Sequence, residues 1–259
     1  MSANDGPIRE PSSEGGLAPE YAERQDAPRR LPLPRFSTRG TYALIALNGL
    51  VFVVDWLSGG TVATFGALVP ALVVAYRQLW RLILSGFLHA DVLHILLNLY
   101  AVYGLGSLLE RFFGLKRMLI IYALSLLGCG VLVTLFSSWR TPTVGASGAI
   151  MGVLGALVVY FWKYRDLLVG GRGYLGELGR LALINIGIGL LPGISWWGHL
   201  GGFLAGVAAG LALVPRYARP DWTATRLELR SLSARSWLAA GLVLVVEGLL
   251  LALAFWLRG

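Results

Sequence analysis

Apolar residues in this chain gather into long runs, with the polar residues between them. Seven runs come near the roughly 20 residues a helix needs to cross a bilayer: 41–57, 87–109, 116–138, 147–163, 178–192, 198–215 and 236–257. The fifth is the shortest and is rich in glycine. Runs this long and this poor in charge predict an all-α polytopic membrane protein. Residues 1–40 are polar and rich in Pro, Glu, Arg and Ser, and read as a disordered cytoplasmic tail. Segment 58–86 is too long for a plain connection and is amphipathic from Tyr76 to Ile83, so it reads as an outer loop lying in the interface. Residues 216–235 read as a cytoplasmic linker to the seventh span.

Composition agrees with the pattern: 56% of the 259 residues are apolar and 14% are charged, where a soluble domain carries about a quarter charged residues. A net charge of +8 raises the question of nucleic acid. No basic cluster interleaved with aromatic residues appears, so no nucleic-acid partner is expected and the charges report topology instead. With seven spans and the tail inside, the inner segments hold 18 of the 22 Lys and Arg, leaving only Arg77, Arg81, Arg140 and Arg258 outside. That asymmetry places the tail in the cytoplasm. No apolar run precedes Thr41, so no cleavable signal is expected, and Asp5, Glu10 and Glu14 argue against a mitochondrial transit peptide. A bacterial cytoplasmic membrane is the expected location. Cys129 lies inside an apolar run and reads as a small buried hydrophobe, with no partner for an internal disulfide.

The topology sorts the chemistry. Spans two, four and six all begin at the outer face. Ser147 heads span four within Gly145-Ala146-Ser147-Gly148, His199 heads span six, and the first turns of span two carry His89, His94 and Asn98. Thus all three histidines and a serine fall in one layer, and ionisable groups inside spans are costly enough to signal a functional site. A serine hydroxyl needs a base to take its proton, and neutral imidazole is the usual one near pH 7. Ser147 and His199 fit those roles if spans four and six touch. Both spans carry small residues at helical spacing, Gly148, Gly152 and Gly155 on one and Gly202, Gly206 and Gly210 on the other, which permits close approach. The Ser147 amide, His94 and Asn98 can donate to a developing oxyanion. Asp91 reads as a helix-start carboxylate, and Asp55 as an interfacial one.

These residues carry a resemblance. Gly145-x-Ser147-Gly148 resembles the nucleophile motif of the rhomboid intramembrane serine proteases, and His199-x-x-Gly202-x-x-x-Gly206 resembles their base-bearing helix. His89-x-x-x-x-His94-x-x-x-Asn98 is similar to their second-helix motif, Trp80-Arg81 to the pair in their first outer loop, and Glu110 falls where the family has a structural glutamate. The similarity runs over residues 41–215. It implies a rhomboid-like six-helix bundle with an added seventh transmembrane helix, and a Ser147–His199 dyad without a third acid. His94, Asn98 and the Ser147 amide would form the oxyanion hole. His89, Trp80, Arg81, Glu110, Gly202 and Gly206 would support the structure. The substrates implied are single-span or polytopic membrane proteins cut near the outer face of the lipid bilayer, with no cofactor and no metal. The loop from Pro192 to Trp197 would be a mobile cap. Met151 stands where many members place an aromatic ring against the catalytic histidine, and Glu247 sits in the middle of the added span, neutral or paired with a neighbouring helix.

Three other readings stay open. One is a catalytically silent relative that binds membrane proteins; the presence of both serine and histidine speaks for the enzyme. A transporter predicts internal repeats and polar groups at the bilayer centre, and neither is evident. A metalloprotease wants His-Glu-x-x-His, whereas His89 and His94 are five apart.

Overall fold

In hydrocarbon each backbone N–H and C=O must find its partner within its own segment, so apolar runs of this length fold as helices. The computed structural model describes residues 37–168, 170–217 and 230–259; residues 1–36 of the expected tail and 218–229 of the expected linker lie outside them. Helix α1 (Arg39–Leu57) leads into a loop holding α2 (Thr61–Gly66), α3 (Pro70–Ala75) and α4 (Arg81–Leu84). Next, α5 (Val92–Ala101) continues through a π-helical turn (Val102–Gly106) into α6 (Ser107–Phe113). Then come α7 (Leu115–Phe136), α8 (Ser147–Tyr164), α9 (Gly171–Ile188), α10 (Trp196–Leu213) and α11 (Ala234–Arg258). Leu68 and Thr143 form an isolated antiparallel bridge. The protein is all-α and polytopic.

Among the described residues six helices are long and apolar enough to cross a membrane: α1, the continuous α5–α6 helix, α7, α8, α10 and α11. The fifth predicted run departs from expectation. Its helix, α9, starts at Gly171 and ends at Ile188 instead of running 178–192, and it is not among the six. Charge is the reason: α9 includes Arg172, Glu177 and Arg180. The charged part is nevertheless helical, with exposed ion pairs from Arg172 to Asp166 at 2.9 Å and from Arg180 to Glu177 at 3.2 Å. Span two also shifts, to Val92–Phe113. Asp91 caps it, its Oδ1 accepting from the His94 amide at 2.8 Å. His89, expected in the first turn, therefore lies in the loop ahead of the helix.

Helix α8 forms the centre, with 72% of its most apolar stretch buried, against 17% for the peripheral α11. It packs on α10 through backbone. Cβ atoms added at Gly202 and Gly206 would collide with the main chain of Gly148 and Gly152, and one at Gly210 would lie 2.8 Å from the Ala156 Cα. Glycine at these steps is what lets the two helices approach so closely.

Span two is clamped to span one by the fully buried Glu110. Its carboxylate accepts from the amides of Gly40 (2.9 Å) and Thr41 (2.8 Å) and from the Thr41 hydroxyl (2.7 Å). These donors lie in the first turn of α1, where unpaired N–H groups favour an anion. The loop between the first two spans is amphipathic as expected, but with its charge turned inward. Arg81 is buried and donates to the carbonyls of Ala67 (2.6 Å) and Thr64 (3.2 Å) and to Gln78 Oε1 (2.6 Å). Tyr76, Leu79, Trp80 and Ile83 are exposed, an apolar outer face suited to lipid.

Candidate active site

The chain reaches Ser147 along a strap of residues 137–146 that runs from the end of α7. The strap is fastened to the first outer loop. Leu68 and Thr143 exchange backbone hydrogen bonds of 3.0 and 2.8 Å, the Ala71 amide donates to the Trp139 carbonyl (2.9 Å), and the Gly145 amide donates to that of Ser85 (2.9 Å). Gly145 has φ +122°, a region that L side chains rarely adopt. A Cβ there would also lie 2.7 Å from His94 Nε2 and 3.8 Å from Ser147 Oγ. The same glycine thus turns the chain into α8 and leaves room for the histidine ring beside the serine. Ser147 is the first residue of α8, where backbone N–H groups have no intrahelical acceptor.

His199 sits in the first turn of α10, behind an N-cap in which Ser195 Oγ accepts from the Gly198 amide at 3.2 Å. Its ring is buried, and Nδ1 lies 3.0 Å from the Asn185 carbonyl oxygen on α9. A carbonyl can only accept, so Nδ1 carries the proton and Nε2 keeps a free lone pair. His94 takes the opposite tautomer. The Ala90 amide donates to its Nδ1 at 3.4 Å, which leaves Nε2 as the N–H bearing nitrogen. One imidazole is thereby set up to accept a proton and the other to donate a hydrogen bond.

Asn98 is buried one turn along from His94 and donates through Nδ2 to the His94 carbonyl at 2.8 Å. Its second amide hydrogen is left for the space in front. That space is a cavity of about 980 Å³ lined by Ser147, His199, His94, Asn98, Met151 and Asn185, with walls from the strap and the first outer loop. Ser147 and His199 share this cavity without a direct hydrogen bond. Catalytic contacts in unliganded sites are often loose and tighten only around the substrate.

The remaining expected residues surround this group. His89 is buried, its ring 5.1 Å from that of His94 at 70°. Trp80 stacks on Phe65 at 5.4 Å and donates to the Phe65 carbonyl at 3.2 Å. Of the segment from Pro192 to Trp197, expected as a mobile cap, Trp196 and Trp197 already belong to α10, and Trp197 stacks on Phe136 at 4.5 Å. Glu247 is buried against α7, near Gly128, with no hydrogen-bond partner for either oxygen among the described residues. It is therefore not paired with a neighbouring helix.

Two neighbours escaped the sequence. The Asn185 carbonyl has no sequence signature, since every residue has one. Cys129 does line the cavity, but from a buried position wedged against Gly148 and Gly198; its apolar surroundings showed only that it is enclosed.

A Rhomboid domain family model matches residues 76–216. RHOMBOID-like protein 2 of Arabidopsis thaliana is 34% identical over 210 residues, covering 78% of this chain and 65% of that protein. RHOMBOID-like protein 6, mitochondrial, of the same plant is 36% identical over 163 residues, covering 61% and 51%. The Rhomboid protease GluP of Bacillus subtilis (strain 168) is 34% identical over 179 residues, covering 67% and 34%. The chain spans about half to two thirds of the length of the two plant relatives and about a third of the bacterial one.

Proposed function

The chain belongs to the rhomboid family, and on that premise we propose that it is an intramembrane serine endopeptidase working through Ser147 and His199. Ser147 Oγ attacks the carbonyl carbon of the scissile bond and passes its proton to His199 Nε2. The Asn185 carbonyl holds the imidazolium from behind through Nδ1–H. Negative charge on the tetrahedral oxygen is met by the Ser147 amide, His94 Nε2–H and the free hydrogen of Asn98 Nδ2. His199 then returns the proton to the departing amine, leaving an acyl-serine that water hydrolyses by the same steps. Because the cavity opens among the outer-face segments, water can reach a bond held within the membrane's outer layer. The substrates are transmembrane segments of other membrane proteins, and the host membrane is proposed to be a bacterial cytoplasmic one.

The observation that carries this reading is the contrast between two Nδ1 atoms at one cavity, facing a carbonyl in His199 and an amide N–H in His94, which leaves one Nε2 to accept and one to donate in the cavity of a helix-start serine. A silent, substrate-binding relative would need neither. The test compares the parent with Ser147→Ala, using a fluorophosphonate label and a reporter transmembrane substrate in detergent. The parent should label and cleave, and the variant should do neither while folding normally. Cleavage by Ser147→Ala at the parent's rate would end the protease reading.

A further inference from the structure

Helix α11 lies outside the matched domain and shares no residue with the cavity. Its outer end nevertheless holds the start of the strap that walls the cavity and touches the first outer loop at Arg77. Arg258 donates from Nη1 to the Thr134 carbonyl (2.7 Å) and from Nη2 to the Ser137 carbonyl (2.9 Å), while its guanidinium lies 4.9 Å from the Trp139 ring centre. Those carbonyls mark the C-terminal turn of α7 and the first residue of the strap. They are acceptors that a helix end leaves open and that a cation suits. One turn back, the Phe255 ring receives the Arg77 guanidinium at 4.1 Å. Arg77, at φ +56°, is the one described non-glycine residue with positive φ, a conformation that needs outside support.

Resting on the protease reading above, we propose that Arg258 is a positioning residue for the reaction. It fixes the near end of the strap, and the strap's far end sets Gly145 and Ser147 against His94 and His199. The guanidinium suits this task because its planar fork reaches two carbonyls at once and its face still stacks on Trp139. A lysine ammonium has three donors on one nitrogen but neither the planar fork that spans the two carbonyls nor a flat face for Trp139. The added helix is thus part of the device that aligns the nucleophile, attached from outside the matched domain.

The experiment follows backbone hydrogen exchange and kinetics together in Arg258→Ala and Arg258→Lys, with the full chain in detergent. Peptides covering 138–146 report the hydrogen-bonded amides of Thr141, Thr143 and Gly145. For Arg258→Ala their exchange should rise about tenfold, and kcat per fluorophosphonate-titrated serine should fall about tenfold with KM within about twofold, as expected for misalignment. Arg258→Lys should fall between parent and alanine on both readouts. Unchanged strap exchange in Arg258→Ala overturns the proposal, and so does an unchanged kcat accompanied only by a lower Tm, which would make the contact a plain structural clamp. Failure of the protease reading shows separately, as a parent that neither labels nor cleaves; strap exchange then still decides whether Arg258 holds the strap.

Discussion

At the scale of single residues, the difference between the two cavity histidines is set by what each Nδ1 touches. His199 faces a carbonyl and His94 faces an amide N–H, so two identical side chains become a base and a donor. Asn98 is anchored similarly, its amide held by the His94 carbonyl. In the proposed mechanism, replacing it with alanine removes one oxyanion donor and nothing from the dyad. Asn98→Ala should therefore lower kcat by about 10²-fold with little change in KM, measured by steady-state cleavage of a reporter substrate. The residue types of this site were legible in the sequence, because all three histidines of the chain fall within apolar runs at the depth of Ser147. Their protonation states were not, since they depend on Asn185 and Ala90 main-chain atoms that carry no side-chain signature.

At the scale of elements, the helices were legible where apolar periodicity alone decides them and less so where charge intervenes. The predicted bounds of spans one, three, four, six and seven lie within two residues of α1, α7, α8, α10 and α11. Span two was misplaced because Asp91 caps the helix at Val92, and span five because α9 begins in the charged stretch at Gly171, ahead of its apolar part. The clamp between spans one and two makes its own prediction. Glu110→Gln exchanges a carboxylate that accepts three hydrogen bonds for an amide that brings a donor up to other donors. It should cost about 1–3 kcal/mol and lower the Tm of the detergent-solubilised protein, with the spectrum of the folded state unchanged. An equal Tm would mean that the carboxylate adds nothing there beyond a neutral amide.

For the molecule as a whole, the Lys and Arg asymmetry and the site's common depth make one statement about orientation. Cys129 is the only cysteine and is buried, so introduced cysteines can report sidedness against a quiet background. In intact cells Ser138→Cys should react with a membrane-impermeant maleimide, and Gly173→Cys should react only after permeabilisation; the reverse pattern would invert the topology. The glycine seam between α8 and α10 has a further consequence. Gly148 meets Gly202, Gly152 meets Gly206 and Ala156 meets Gly210, a ladder whose rungs look alike. Sliding one helix by a single turn, about 5.4 Å, would bring small residue against small residue again while carrying the imidazole away from the hydroxyl. Close packing therefore brings these spans together without choosing which rung faces which. That choice falls to unrepeated contacts at the ladder's top, the Trp197–Phe136 stack and the His199–Asn185 bond.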